Sequence, residues 1–306
     1  MKKENLYIFV HLHKTGGTTL NKHISKNFKS DEVLTLYYKT LGLNPFINKK
    51  QNYAKMAEKA IKKLTLAQKE KVKVITGHYL PFGIHEYFKN RTPVYITIVR
   101  DPYKRARSFY NYYRTMYEKE KSTGKNKIIY RSFLKVDGKI VDFDTWIRKK
   151  YGTGKSGLVT QPMSKYYKDL GYKLSDFYFI GITKELNTDL SFLFHLLGVN
   201  KYFVNQNISQ DYIGGDRLKA KYFFSKKYAG SMKIFQKAIE SNRIFKKKYP
   251  DWDSVIGKIS FRRKLLTPFT QIIFDFVESL RMLSSVLRKS SKLYGRVLDF
   301  LKDGLF

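Results

Sequence analysis

The chain has 306 residues, 42% of them hydrophobic and 16% aromatic, a composition that supports a substantial core and excludes a disordered protein. Its 60 Lys+Arg against 25 Asp+Glu leave a formal charge of +35, a surface field that attracts phosphates, sulfates, nucleic acid or anionic membrane without choosing among them. The lack of cysteine excludes disulfides, Cys-ligated zinc and a thiolate nucleophile.

Leu6-Tyr7-Ile8-Phe9-Val10-His11-Leu12 is nearly continuously apolar, as buried parallel strands are, and it runs through a glycine pair into a polar helix. The run is too short for a signal-peptide core and is broken by His11. Similar runs at Val33 to Tyr37, Val72 to Thr76, Val94 to Val99 and Phe177 to Ile182 alternate with segments of helical spacing. That alternation predicts an α/β fold, a mostly parallel sheet flanked by helices. Tyr53 to Lys71 reads as one lysine-rich helix with Met56, Ala60, Ile61, Leu64 and Ala67 on its apolar face. After the fourth strand, Asp101-Pro102 supplies a cap and a proline for the first helical position. The apolar face of that helix is Ala106, Phe109, Tyr110, Tyr113, Met116 and Tyr117, and the charge-dense Lys119 to Lys127 reads as an exposed loop. From about Ile259 apolar residues recur at helical spacing, from Phe269 through Leu287 and on to Leu301. The chain therefore divides into a main domain, 1–258, and a basic amphipathic helical extension, 259–306. No stretch reaches the roughly 18–20 apolar residues that span a bilayer. The expected location is the cytoplasm, with residues 265–301 suited to contact the inner face of the membrane.

His13-Lys14-Thr15-Gly16-Gly17-Thr18-Thr19 lies between the first strand and the first helix. Glycines let backbone N–H groups close on an anion, the new helix aims its positive dipole end at the same point, Lys14 adds a full charge, and Thr18 and Thr19 add hydroxyls. A Walker A loop satisfies the same physics but places its lysine after the last glycine, whereas here Lys14 precedes both. The string resembles the 5′-phosphosulfate loop of sulfotransferases that use 3′-phosphoadenosine 5′-phosphosulfate (PAPS), in the carbohydrate-acting branch, with His13 standing where that family usually has proline.

A second string, Arg100-Asp101-Pro102-Tyr103-Lys104-Arg105-Ala106-Arg107-Ser108, puts an arginine at a strand's carboxyl end and a hydroxyl two turns into the next helix. Both can reach one phosphate in the crevice where α/β sheets bind ligands. Ser108 lies three and four residues from Arg105 and Lys104, on a polar strip with them. The string resembles the same family's 3′-phosphate motif, with Arg100 and Ser108 at the matching separation.

Transfer to a hydroxyl needs a general base, and Val74-Ile75-Thr76-Gly77-His78-Tyr79 places His78 just past the third strand. Enzymes of the heparan sulfate 2-O-sulfotransferase type and their bacterial relatives resemble this chain in carrying Gly-His there, which implies His78 as the base. His11, His13, His85 and Glu86 are rivals; of these His11, within a buried strand, reads as structural and His13 is placed to contact the phosphosulfate, while His23 and His195 on predicted helices also read as structural. Looser likenesses run through Phe179 to Leu197 and the Asn205 to Ser209 loop.

The resemblance implies a P-loop-type three-layer fold. It also implies PAPS held by Lys14, Thr15, Gly16, Gly17, Thr18, Thr19, Arg100 and Ser108, and catalysis by His78 with Lys14. No metal is expected. The expected acceptor is a hydroxyl of a glycan or glycolipid, and the positive charge suits an anionic one. A P-loop nucleotide kinase is the alternative, and a basic nucleic-acid-binding protein the more remote one; no nucleic-acid partner is expected.

Overall fold

A computed structural model describes residues 4–43, 50–123, 129–153, 160–186, 188–190, 193, 197, 212–213 and 218–249. In chain order the elements are β1 (Glu4–Val10), α1 (Gly17–Asn27), β2 (Val33–Leu36), α2 (Lys50–Lys62), α3 (Leu66–Lys71), β3 (Val74–Gly77), β4 (Arg91–Val99) and α4 (Pro102–Ser122). There follow α5 (Ile129–Leu134), β5 (Lys135–Val136), β6 (Lys139–Ile140), α6 (Phe143–Lys149), α7 (Met163–Asp169), β7 (Phe179–Ile182), α8 (Leu218–Lys227) and α9 (Ala229–Lys247). Met1–Trp252 form one compact unit and Asp253–Phe306 a second. The expected helical extension 259–306, with its membrane-contact segment 265–301, lies outside the described residues, as do His195 and the Asn205 to Ser209 loop.

Five strands pair in the order β2-β3-β1-β4-β7, every neighbour parallel, so the α/β expectation holds. The period of two in β1 divides its side chains between the sheet faces. Leu6, Ile8 and Val10 pack with Tyr53, Ala57 and Ile61 of α2 and with Met163, Tyr166 and Tyr167 of α7. Phe9 packs on the opposite side with Leu20 and Ile24 of α1 and with Val74, Ile96 and Phe179 from the neighbouring strands. Burial on both faces is why the strands read as unbroken apolar runs. Beside the sheet, Tyr103, Ala106, Phe109 and Tyr113 of α4 meet Phe143 and Trp146 of α6 and Ala220 and Phe224 of α8.

This order positions the site. The chain leaves β1 toward one edge of the sheet and leaves β4 toward the other, so these adjacent strands diverge at their carboxyl ends and open a crevice. The residues after Val10 and Val99 line it, and those after Gly77 adjoin it, because β3 pairs with β1 on the other side.

Three local expectations are corrected. The segment 53–71 is two helices, because Thr65 caps α3 by accepting from the Gln68 N–H while Gln68 accepts from the Thr65 N–H. The buried face of α2 is Tyr53, Ala57 and Ile61, and Ala67 is exposed. α4 continues through Ser122, so residues 119–122 are helical; Gly124 to Lys127 lie outside the described residues. Its start is as expected, with Asp101 accepting from the Lys104 N–H and Pro102 in the first turn. Among the described residues no helix is long and apolar enough to cross a membrane.

Candidate active site

The loop after β1 carries two left-handed residues, Lys14 at φ 65° and Gly16 at φ 101°. Glycine is required at position 16, where the conformation disfavours side chains and a Cβ would lie 2.5 Å from Leu186 Cδ2. Lys14 tolerates its strain because the surroundings hold it: its carbonyl accepts from Arg100 Nη1 at 3.3 Å, and its ammonium lies 4.5 Å from the centre of the Tyr112 ring. The fully buried Thr15 turns its hydroxyl to Leu12 O at 2.7 Å, closing the loop on itself. Thr18 is exposed at the helix start while Thr19 is buried. Gly16 caps α1 without a side-chain acceptor and the first turn holds no carboxylate, an arrangement that suits an anion at the positive end of the helix.

Arg100 therefore meets the backbone of the loop after β1. Burial disfavours its charge, Asp101 supports it, and Arg105 and Arg107 oppose it. Burial, with Arg100 nearby, lowers Lys14 from its usual 10.5 to about 8. Cations gathered at this cost are relieved by a bound anion. Ser108 is half-buried on α4.

The polar strip is corrected: Arg105 is 1% exposed and turns inward. Its Nε donates to His13 O at 2.8 Å, and its Nη1 donates to Gln161 O at 2.9 Å and to Tyr151 OH at 3.2 Å. It thus pins the loop backbone from below. Arg105→Ala is expected to lower stability by roughly 3–5 kcal/mol, from orphaned acceptors and a cavity, measured by chemical denaturation.

His78 follows Gly77, where a Cβ would lie 2.4 Å from the Leu36 carbonyl oxygen, so β2 closes on β3 only around a glycine. Tyr79, next along, is left-handed at φ 57° and its N–H donates to Tyr166 OH at 3.1 Å. His78 Nδ1 lies 2.7 Å from His11 O. A carbonyl only accepts, so Nδ1 of the neutral ring carries the proton and Nε2 carries the lone pair. Burial holds His78 well below the usual 6.5, with His13 and His11 adding to the effect and the bond to His11 O opposing it.

Two further histidines crowd this ring. The centroid of His13 lies 3.5 Å from that of His78, and His11's lies 4.2 Å away. His13 Nε2 is buried without a hydrogen-bond partner. His11 lies one residue past the end of β1, its N–H still donating to Gly77 O at 3.0 Å, and its Nδ1 reaches Tyr37 OH at 3.1 Å inside the cluster. Tyr38 stacks on His78 at 5.4 Å and 16°. His85 is not in this group; its Nδ1 lies 2.8 Å from Tyr95 OH. Glu86 is exposed, and His23 is buried on α1. Among the described residues no cluster of His, Asp or Glu is arranged to hold a metal ion.

Residues 1–240 match the family model Sulfotransfer_2, described as the sulfotransferase family. The chain belongs to that family. A solved sulfotransferase from Alicyclobacillus acidocaldarius is 12% identical with a TM-score of 0.38, the match covering 76% of this chain and 96% of that one. No curated protein matches the chain.

In this sulfotransferase, sequence reasoning missed Tyr37, Tyr38, Asn21 and Tyr112, and it misplaced Arg105. Tyr37 donates to Asn21 Oδ1 at 3.0 Å and lies 2.9 Å from Thr76 Oγ1, tying the end of β2 to α1 and β3. One signal was available for Tyr37 and Tyr38: they follow the carboxyl end of a strand, as His78 and Arg100 do.

Proposed function

We propose that this sulfotransferase transfers the sulfuryl group of PAPS to a hydroxyl of a carbohydrate, on a glycan or glycolipid, with His78 as general base. The observation that carries the reading is the contact of Arg100 with the carbonyl of Lys14, which brings the two anion-binding strings into one crevice. The donor set fits a nucleotide with phosphates at both ends: Lys14 and the start of α1 for the phosphosulfate, Arg100 with Ser108 for the 3′-phosphate. The orphaned, buried His13 Nε2 beside them is a polar atom of the kind a ligand oxygen satisfies.

When bound, PAPS supplies an activated sulfuryl group on a phosphate leaving group. Lys14 and the α1 N–H groups hold negative charge at the leaving side, His78 Nε2 takes the acceptor's proton, and His11 O keeps the ring in that tautomer. Tyr38, half-buried against His78, offers a ring face for the apolar side of a sugar. The net charge of +35 suits an anionic acceptor, and residues 265–301 suit contact with the membrane surface near lipid-linked substrates.

Radiolabelled PAPS offered with a panel of glycans and glycolipids tests the activity, and label transferred only to non-carbohydrate acceptors would refute the acceptor class. A thermal shift with ATP and magnesium but none with adenosine 3′,5′-bisphosphate would favour the kinase alternative. The nucleotide site also carries a pH dependence of defined sign. Lys14 binds an anion as the cation, and in the free protein it loses its proton near pH 8. Affinity for adenosine 3′,5′-bisphosphate therefore falls as pH rises through that value, with proton uptake on binding in the same range. Calorimetry in buffers of different ionisation enthalpy reads both.

A further inference from the structure

Away from the crevice, α8 presents a face that neither the core nor the proposed transfer uses. Ala220 and Phe224 turn inward, while Leu218, Lys219, Tyr222 and Lys226 turn outward on one arc of the helix. Leu218 and Tyr222, one turn apart, are 75% and 74% exposed, among the most exposed large hydrophobic side chains described. They line a shallow groove with Phe223, Arg148, Lys219 and Lys226, three cations and no carboxylate. Arg148 and Lys227 both lie over the Phe223 ring, at 5.3 and 5.5 Å, and Lys227 Nζ also donates to Arg148 O at 3.2 Å. The charge is locally one-sided: between Asp216 and Glu240 the chain holds Arg217, Lys219, Lys221, Lys226, Lys227, Lys233 and Lys237 and no acid.

We propose that this face of α8 rests on an anionic lipid surface, with Leu218 and Tyr222 in the headgroup layer and Lys219, Lys226 and Arg148 against lipid phosphates. Charge complementarity names an anionic partner, and the exposed aliphatic side chain decides which one. Leu218 gains from the boundary between headgroups and acyl chains, and gains nothing from a hydroxyl-rich polymer or from nucleic acid. Exposed apolar side chains on an outward arc with lysines flanking them suit such a contact. The proposal is independent of the 265–301 segment and of the acceptor's identity.

The test uses the full chain in co-sedimentation with phosphatidylcholine vesicles, with and without phosphatidylserine. The wild type is expected to sediment only with phosphatidylserine. Leu218→Glu/Tyr222→Glu and Lys219→Glu/Lys226→Glu are each expected to lower the partition coefficient about tenfold or more. All four side chains are exposed, so an unchanged melting temperature separates loss of contact from loss of fold. If the wild type ignores these vesicles, or both double variants sediment as it does, the proposal is overturned. Retention on heparin without vesicle binding also overturns it, and reassigns the face to an anionic glycan.

Discussion

Lys14→Ala is expected to lower sulfuryl transfer by about 10²–10³-fold, with a parallel loss of nucleotide affinity. Lys14 is a full charge at the start of α1, in a loop whose backbone Arg100 and Arg105 hold through the Lys14 and His13 carbonyls. Its loss removes both ground-state binding of phosphate and stabilisation of charge developing on the leaving oxygen, so kcat and KM both change. Lys14→Arg restores little. The backbone is left-handed there and the ammonium sits 4.5 Å from the centre of the Tyr112 ring, a fit for a compact charge on a flexible stem rather than a planar fork. Steady-state kinetics with titration of the desulfated nucleotide measures both effects, and an alanine variant with wild-type affinity would remove Lys14 from the site.

His78→Ala is expected to lower kcat by about 10²–10⁴-fold, the usual contribution of a positioned general base, while the dissociation constant of adenosine 3′,5′-bisphosphate changes little. That split distinguishes a base from a packing residue. Added imidazole is expected to restore part of the rate in the space the ring leaves. The acid limb gives a second readout. Transfer needs neutral His78, and burial depresses its pKa, so the rate stays flat as pH falls to 6.5 and declines only below that value. A limb at or above 6.5 would mean that a different group, or a solvated His78, governs the proton.

The strands were legible because both sheet faces are covered, which leaves apolar runs with little ambiguity. The cap at Asp101-Pro102 and the glycine loop were legible because backbone geometry restricts those positions to few residue types. Arg105 was assigned to the polar strip by its charge, although Arg105, Phe109 and Tyr113 recur at intervals of four and lie on one buried face. Its partners, the carbonyls of His13 and Gln161, come from distant segments and no local pattern announces them. Asn21, Tyr37 and Thr76 are similarly joined only because β2 lies beside β3 at the sheet edge. The break at Thr65 was visible as Thr-x-x-Gln, but the apolar spacing running through it gave the stronger signal.

A binding cycle tests most directly whether Lys14 and Arg100 grip one nucleotide. Calorimetry compares adenosine 3′,5′-bisphosphate with adenosine 5′-phosphate on the wild-type chain and on Arg100→Ala. The wild type is expected to favour the bisphosphate by about 10–100-fold and the variant to bind both nucleotides alike. An Arg100→Ala protein that keeps the full preference for the bisphosphate would contradict it.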